Sequence, residues 1–170
     1  YILTPQGIKI GDKIISGEKV DIKLGNSLPL KNIPLGSIIH CVEMHKNKGA
    51  QLIRTAGSSG ILTAKVGKHV HVKLPSGEVR IVLDDCFATL GSLANEDHSN
   101  EDSGKAGRTR KRGFRPHTRG AAKNRCDHPH GGGEGKAPVG NKSPMTPKGK
   151  CAIGKKTRKT VAKHVIKKRK

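Results

Sequence analysis

No apolar run in this sequence approaches the roughly 20 residues that a membrane-spanning helix needs. A spanning segment is therefore excluded. The last third also lacks the apolar face of an interfacial anchor. Its large apolar residues are only Phe114, Val139, Met145, Ile153, Val161, Val165 and Ile166, so no membrane partner is expected. Cys-x-x-Cys pairs are missing too. Cys41, Cys86, Cys126 and Cys151 stand far apart, which argues against a zinc ribbon or a dithiol redox centre and for free thiols in a reducing compartment. The sequence opens at Tyr1 with neither an initiator Met nor a signal or transit pattern. The expectation is that a leader was removed, or that the sequence starts partway through a longer product.

Acidic residues are the most unevenly missing. Residues 1–103 hold 12 basic and 11 acidic side chains, a net of +1. Residues 104–170 hold 22 basic residues and only two acids, Asp127 and Glu134, a net of +20. A compact monomer with that much like charge repels itself unless a polyanion neutralises it. Nucleic acid is the usual polyanion. A nearly neutral domain is thus joined to a strongly cationic segment.

What is present in the first part is a β-rich pattern. Short apolar runs alternate with Gly, Pro, Asn and Asp turns. The expected strands are residues 8–10, 20–23, 37–43, 51–55, 61–66, 69–74 and 79–83. Alternation is clearest in His69-Val70-His71-Val72-Lys73-Leu74, which puts Val70, Val72 and Leu74 on one face. Pro75-Ser76-Gly77-Glu78 reads as a turn, so 69–83 is expected to be a hairpin, entered by a second tight turn at Lys65-Val66-Gly67-Lys68. Strands this short and turns this dense suggest a small barrel over residues 1–94. Residues 95–103 read as an acidic linker loop. Residues 104–170 read as an extended, mostly irregular basic tail. Eleven of its 67 residues are Gly, and it has too little apolar surface to offset its ordering entropy. Residues 157–168 are the exception, with a pattern that allows a short basic helix.

Three clusters carry the chemistry. The first runs from Arg108 to Gly120 and contains Arg110, Arg112, Arg115 and Arg119, with Lys105 just before it. The planar fork of arginine pairs with phosphate and stacks on bases. The bland alternative is a solvated charged segment or a localisation signal. The second is Asp127-His128-Pro129-His130-Gly131-Gly132-Gly133-Glu134-Gly135. Three consecutive glycines can line up backbone N–H groups as an anion nest. His128 and His130 invite a metal reading, but only Cys126 and Asp127 lie near as further ligands, short of a usual zinc site. A nucleophilic histidine has no orienting partner in the sequence. The preferred reading is a loop packed against RNA. The third cluster is Lys155, Lys156 and Arg158 with the Lys-rich end, where lysine acts as a point charge toward phosphate; for the last four residues a frayed tail is the equal alternative. In the first part, Arg54 stands among small residues and is the one candidate RNA contact there, with a surface solubility role as the equal alternative on pattern alone.

The Asp127–Gly135 run closely resembles the signature of the universal large-subunit ribosomal protein two, the bacterial-type L-two family. Tyr1-Ile2-Leu3, Asn32-Ile33-Pro34-Leu35-Gly36, Val42-Glu43-Met44, Gln51–Gly57, Ala88-Thr89-Leu90-Gly91, Gly104–Arg108 and Lys155–Arg158 match in order. The resemblance covers nearly the whole chain. It implies an SH3-like barrel followed by a long extension buried in large-subunit ribosomal RNA near the peptidyl-transferase region, with a role in assembling that region. It implies RNA contacts for Arg54, Lys105, Arg108, Arg110, Arg112, Arg115, Arg119, Asn124, His128, His130, Gly131, Gly132, Gly133, Lys155, Lys156 and Arg158. It makes His128 a residue close to functional RNA and not a catalyst, so no enzymatic activity is expected. No cofactor of the chain's own is expected either, beyond structural Mg2+ that the RNA binds. The implied partners are large-subunit rRNA and other ribosomal proteins.

Several departures accompany the resemblance. The family usually has tryptophans where Lys111 and Lys148 stand. It usually reads Met-Asn-Pro-Val where Lys123-Asn124-Arg125-Cys126 stand. Two stacking surfaces are thus replaced by phosphate-seeking charge. The family's amino-terminal OB-fold half is absent from this sequence, which resembles the divided gene of some plant mitochondrial lineages. A separate chain carrying that half, and a mitochondrial ribosome (or, as the alternative, a chloroplast one), are the corresponding expectations. The competing class is a histone-like protein that compacts nucleic acid. It would use the basic segment but would leave the His-Pro-His-Gly-Gly-Gly loop without a role.

Overall fold

The computed structural model describes residues 1–135, 137–154 and 162–168. Two compact units emerge, one of Tyr1–Glu101 with Ala162–Lys170, the other of Asp102–Val161.

The first unit is mainly antiparallel β. Its strands are β1 (Ser27–Pro29), β2 (Ile38–His40), β3 (Val42–Glu43), β4 (Ala50–Leu52), β5 (Gly60–Val66), β6 (His69–Lys73), β7 (Val79–Leu83), β8 (Phe87–Leu90) and β9 (Val165–Lys167). Seven form one sheet in the order β1-β8-β2-β5-β6-β7-β9, and β3 pairs with β4 alone.

The β5-β6-β7 meander follows directly from the sequence. Gly67 takes the positive φ of 56° that the first turn needs. Gly77 does the same at 79°, and Leu74 and Glu78 close the second turn with a 2.8 Å backbone bond. In β6, Val70 and Val72 are fully buried while His69 and Lys73 are exposed. Burying each valine contributes about 1.5–3 kcal/mol. The register sets Val70 opposite Val82 and Leu62 opposite Val72. These four join Leu28, Leu30, Ile33, Ile39, Val42, Cys86 and Ala88 in one core.

Buried polar groups tie the irregular parts to this core. Glu43 accepts the Gly49 N–H at 2.9 Å on one carboxylate oxygen and the Phe87 N–H at 3.0 Å on the other. Asn26 accepts from the Ile15 N–H and donates to the Asp21 carbonyl, both at 3.0 Å. His40, 1% exposed, bonds through Nδ1 to the Gly91 carbonyl at 2.8 Å.

Four expectations need correction. Among the described residues the sheet does not close into a barrel, because each edge meets a different segment. The outer edge of β1 meets residues 15–17, through Gly17 N–H to Ser27 O and Ser27 N–H to Ile15 O. The outer edge of β7 meets β9. Residues 8–10 are not a strand: Gly7 and Gly11 take φ of 87° and 100°, and Asp12 folds back on Lys9. Residues 20–23 are not a strand either, and the Lys23 N–H bonds the nearby Asp21 carbonyl. Finally, the part of 157–168 that is described contains β9 rather than a helix. The β-branched pair Val165-Ile166 suits a strand, and the Ile81 N–H donates to the His164 carbonyl at 2.8 Å.

The second unit is mostly irregular. It contains a six-residue helix, α1 (Ala106–Lys111), a 3-10 turn at Gly120–Ala122 and a β-bridge between Met145 and Cys151. Arg108, Arg110 and Lys111 sit in the last turn of α1, where the helix dipole favours cations. None of its large apolar side chains is buried among the described residues. Hydrogen bonds and close backbone contacts build its loops.

Candidate nucleic-acid interface

The second unit carries 17 basic and three acidic residues. Lys105, Arg108, Arg110, Arg112, Arg115 and Arg119 are all exposed. None of them takes part in an ion pair among the described residues. Arg108 also reaches the Asp102 carbonyl at 3.4 Å. These side chains form a basic stretch along α1 and the chain that follows. Lys155, Lys156 and Arg158 lie outside the described residues.

The glycine-histidine loop is folded on itself. The Asn124 carbonyl accepts the Asp127 N–H at 3.0 Å and the His128 N–H at 3.3 Å. Gly131 donates to the His128 carbonyl at 2.9 Å, and Gly132 donates to the Lys123 carbonyl at 3.1 Å. The anion nest expected from three glycines is therefore corrected, because the first two N–H groups are spent inside the loop. What the glycines supply is closeness. A Cβ on Gly131 would overlap the Asn124 carbonyl, and one on Gly133 would overlap the Ala137 methyl. Gly132 has a φ of 90°, which side chains rarely adopt.

His128 is the one buried polar side chain of this unit among the described residues, 7% exposed. Its ring lies over Gly120, where a Cβ would come within 2.5 Å of the imidazole. His128 Nδ1 accepts the His130 N–H at 3.0 Å. His130 Nε2 in turn accepts the Met145 N–H at 2.8 Å. The two rings sit 4.7 Å apart, tilted by 56°. Burial pushes the His128 pKa below the usual imidazole value, and His130 and Lys123 push it the same way. The ring is thus held neutral near pH 7. Among the described residues no group of three or more His, Cys, Asp or Glu side chains could hold a metal ion.

The loop brings together Asn124, His128, His130, Gly131 and Gly132. Asn124 acts in it through its carbonyl, and its side chain is exposed. Gly120, Lys123 and Met145 also build the loop, and the sequence pattern assigns none of the three to it. The small-residue run Gly120-Ala121-Ala122 is a signal that something packs closely there. Met145 offers none, since only its backbone takes part.

Arg54 belongs to the first unit. Ile53 before it has a φ of 55°, an uncommon conformation for a β-branched residue, and is buried. That strained backbone, held by the Cys41 N–H on the Ile53 carbonyl at 3.0 Å, turns Ile53 inward and Arg54 outward. Arg54 lines an open cavity of about 600 Å3 with Tyr1, His40, Cys41 and Glu43. Burial raises the Cys41 thiol pKa, and the Arg54 charge opposes it.

The sequence model of the family described as Ribosomal Proteins L2, C-terminal domain, matches residues 23–149. The chain belongs to this family. The match runs from before β1 through β8, α1 and the whole glycine-histidine loop, so it takes in parts of both units. Membership in the L2 family makes it a large-subunit ribosomal protein with a structural role in translation, and ribosomal RNA and other ribosomal proteins are its associates. No helix among the described residues is long and apolar enough to cross a membrane.

Proposed function

We propose that this chain binds large-subunit rRNA near the peptidyl-transferase region and supports the assembly of that region. The observation that carries the reading is the imbalance in residues 102–161: 17 basic residues against three acids, with exposed arginines unpaired among the described residues. Lys105, Arg108, Arg110, Arg112, Arg115 and Arg119 neutralise phosphates, and Lys155, Lys156 and Arg158 add to them. Asn124, His128, His130 and Gly131–Gly133 form a compact loop that approaches the RNA closely. Arg54 contributes a separate contact. Recognition is of RNA shape and phosphate position, because A-form grooves hide base edges from side chains. The Asp127-His128 and Glu134-Gly135 pairs are most like the bacterial and organellar branch of the family, which favours a mitochondrial ribosome. Co-migration with ribosomes of purified plastids instead would move it there.

Binding to protein-depleted large-subunit rRNA tests the proposal. Each phosphate contact contributes roughly −0.7 to −0.9 to the slope of log K against log salt. The six named contacts of the Arg-rich stretch alone then give a slope of about −4 to −5. Replacing Arg112 and Arg119 by Ala makes the slope shallower by roughly 1.5–2. Arg112→Ala or Arg119→Ala impairs incorporation into large subunits more than Lys170→Ala does. Equal incorporation of all three variants, or a preference for duplex DNA in direct competition, overturns the reading in favour of a nucleic-acid-compacting protein.

A further inference from the structure

The two histidines of the loop are wired in opposite senses. A neutral imidazole has one N–H donor and one acceptor nitrogen. His128 spends its acceptor, Nδ1, on the His130 N–H at 3.0 Å. Its proton is therefore on Nε2, which has no hydrogen-bond partner among the described residues. His130 spends its acceptor, Nε2, on the Met145 N–H at 2.8 Å, so its proton is on Nδ1. The Met145 backbone is itself fixed by the bridge to Cys151 and by the Ala152 N–H on the Pro144 carbonyl at 2.8 Å. A chain of contacts thus runs from the 144–152 turn through the His130 ring and backbone to the His128 ring, which rests on Gly120. Lys123, whose charge acts on the His128 ring, makes the surroundings of that ring attractive to an anion, and Arg125 packs against nearby Gly132.

We propose that His128 presents a fixed Nε2–H donor to a non-bridging phosphate oxygen of RNA, and that His130 is the positioning residue that holds it in that tautomer. The proposal rests on the RNA-binding reading above and goes further. It assigns the donor atom, the acceptor chemistry and the role of a second residue. The neutral ring contributes direction, and Lys123 supplies the charge. An imidazole aimed at phosphate in this way is a specificity contact with no proton to exchange.

The wiring is tested first without RNA. Long-range proton–nitrogen correlation on the 15N-labelled full chain at pH 7.5 is expected to show His128 protonated at Nε2 and His130 at Nδ1. The reverse tautomer at either ring, or averaging of both nitrogens at His128, overturns the wiring and leaves the RNA-binding reading untouched. The second arm uses phosphorothioate-substituted, protein-depleted large-subunit rRNA. Wild type is expected to show at least one position where sulfur reduces binding and where His128→Asn abolishes that interference. Asn keeps an oxygen near the Nδ1 position for the His130 N–H but has nothing at the Nε2 position. The variant is expected to bind about tenfold or more weakly. An interference pattern identical in wild type and His128→Asn overturns the phosphate assignment. Finally, His130→Ala keeps the backbone N–H that His128 Nδ1 accepts but removes the ring that anchors that backbone to Met145, and it is expected to loosen the His128 tautomer into a mixture. His130→Gln, whose amide oxygen can accept the Met145 N–H, restores it. Loss of the single tautomer in His130→Gln to the same degree as in His130→Ala shows that His130 does not position the ring.

Discussion

Gly131→Ala is the sharpest perturbation of the glycine-histidine loop. An added Cβ would overlap the Asn124 carbonyl group and also come within 2.6 Å of the Lys123 oxygen. Both are backbone atoms, so no side chain can swing aside. The strand of loop at 131–132 must move away from 123–124. That movement breaks the Gly132 to Lys123 bond of 3.1 Å and strains the Gly131 to His128 bond of 2.9 Å. Overpacking of this kind costs about 1–3 kcal/mol, and each backbone bond lost costs about 1 kcal/mol more. A total of about 2–5 kcal/mol is large for a unit held by loops and hydrogen bonds with no buried aliphatic core among the described residues. Amide hydrogen exchange on the full chain reads the outcome directly. In the variant, the amides of Asp127, His128, Gly131 and Gly132 are expected to lose protection by two orders of magnitude or more, while Leu62 and Val72 exchange as before. Unchanged protection at Gly132 would refute the reasoning, because it would mean that the two segments do not pack as closely as described.

Gly107→Ala is the matching control. Gly107 lies inside α1 with open space where its Cβ would be, so the substitution stabilises the helix by up to about 1 kcal/mol, read as increased protection of the Arg112 amide. Glu43→Ala leaves two N–H donors, on Gly49 and Phe87, without their carboxylate. A loss of about 2–5 kcal/mol is expected by denaturant titration of the first unit, and a loss under 1 kcal/mol counts against the buried carboxylate as its tie. For pH, burial holds His40 below the ordinary imidazole value, against the opposing pull of the Gly91 carbonyl. The unfolded chain therefore binds a proton that the folded unit resists. Stability is full above the ordinary imidazole value of 6.5, falls as pH drops through it, and levels off below the folded pKa. Thermal midpoints from pH 8 to 5 should follow that curve and flatten in His40→Gln, and a flat wild-type profile contradicts it.

The parts of the fold that were legible in the sequence are those set by local rules. The β6 alternation is visible because only one face of that strand is buried, and the two turns around it carry glycine where φ must be positive. β1 and β8 escaped notice because their pairing joins residues about 60 positions apart, Ser27 with Thr89 and Pro29 with Phe87, and Ser27-Leu28-Pro29 is too short to show a period. β9 pairs across an even longer interval. In the site, the exposed arginines were legible from composition, since that stretch of sequence has too few large apolar residues to bury them. The loop was legible as a compact object from its glycines. The direction of their N–H groups was not, because it depends on where the Lys123 and Asn124 carbonyls fall. His-x-His was ambiguous for the same reason. Spacing alone does not distinguish a ring that binds a metal from one that accepts a backbone N–H.

The pairing of β9 with β7 sets an order of events during synthesis. Strands β1 to β8 are complete once residue 90 has been made, but the strand that covers β7 lies at Val165–Lys167. At about 5–20 residues per second, the intervening stretch takes roughly 4–15 s to make. Throughout that interval Val79, Arg80 and Ile81 form an open sheet edge, the kind of surface that recruits other chains. Arg80 and Glu78, paired at 3.3 Å beside it, put charge where a foreign strand would dock. The whole basic unit emerges while that edge waits. Like charge on that unit, 17 basic residues against three acids, repels neighbouring nascent chains at the time when the sheet is most exposed to aggregation.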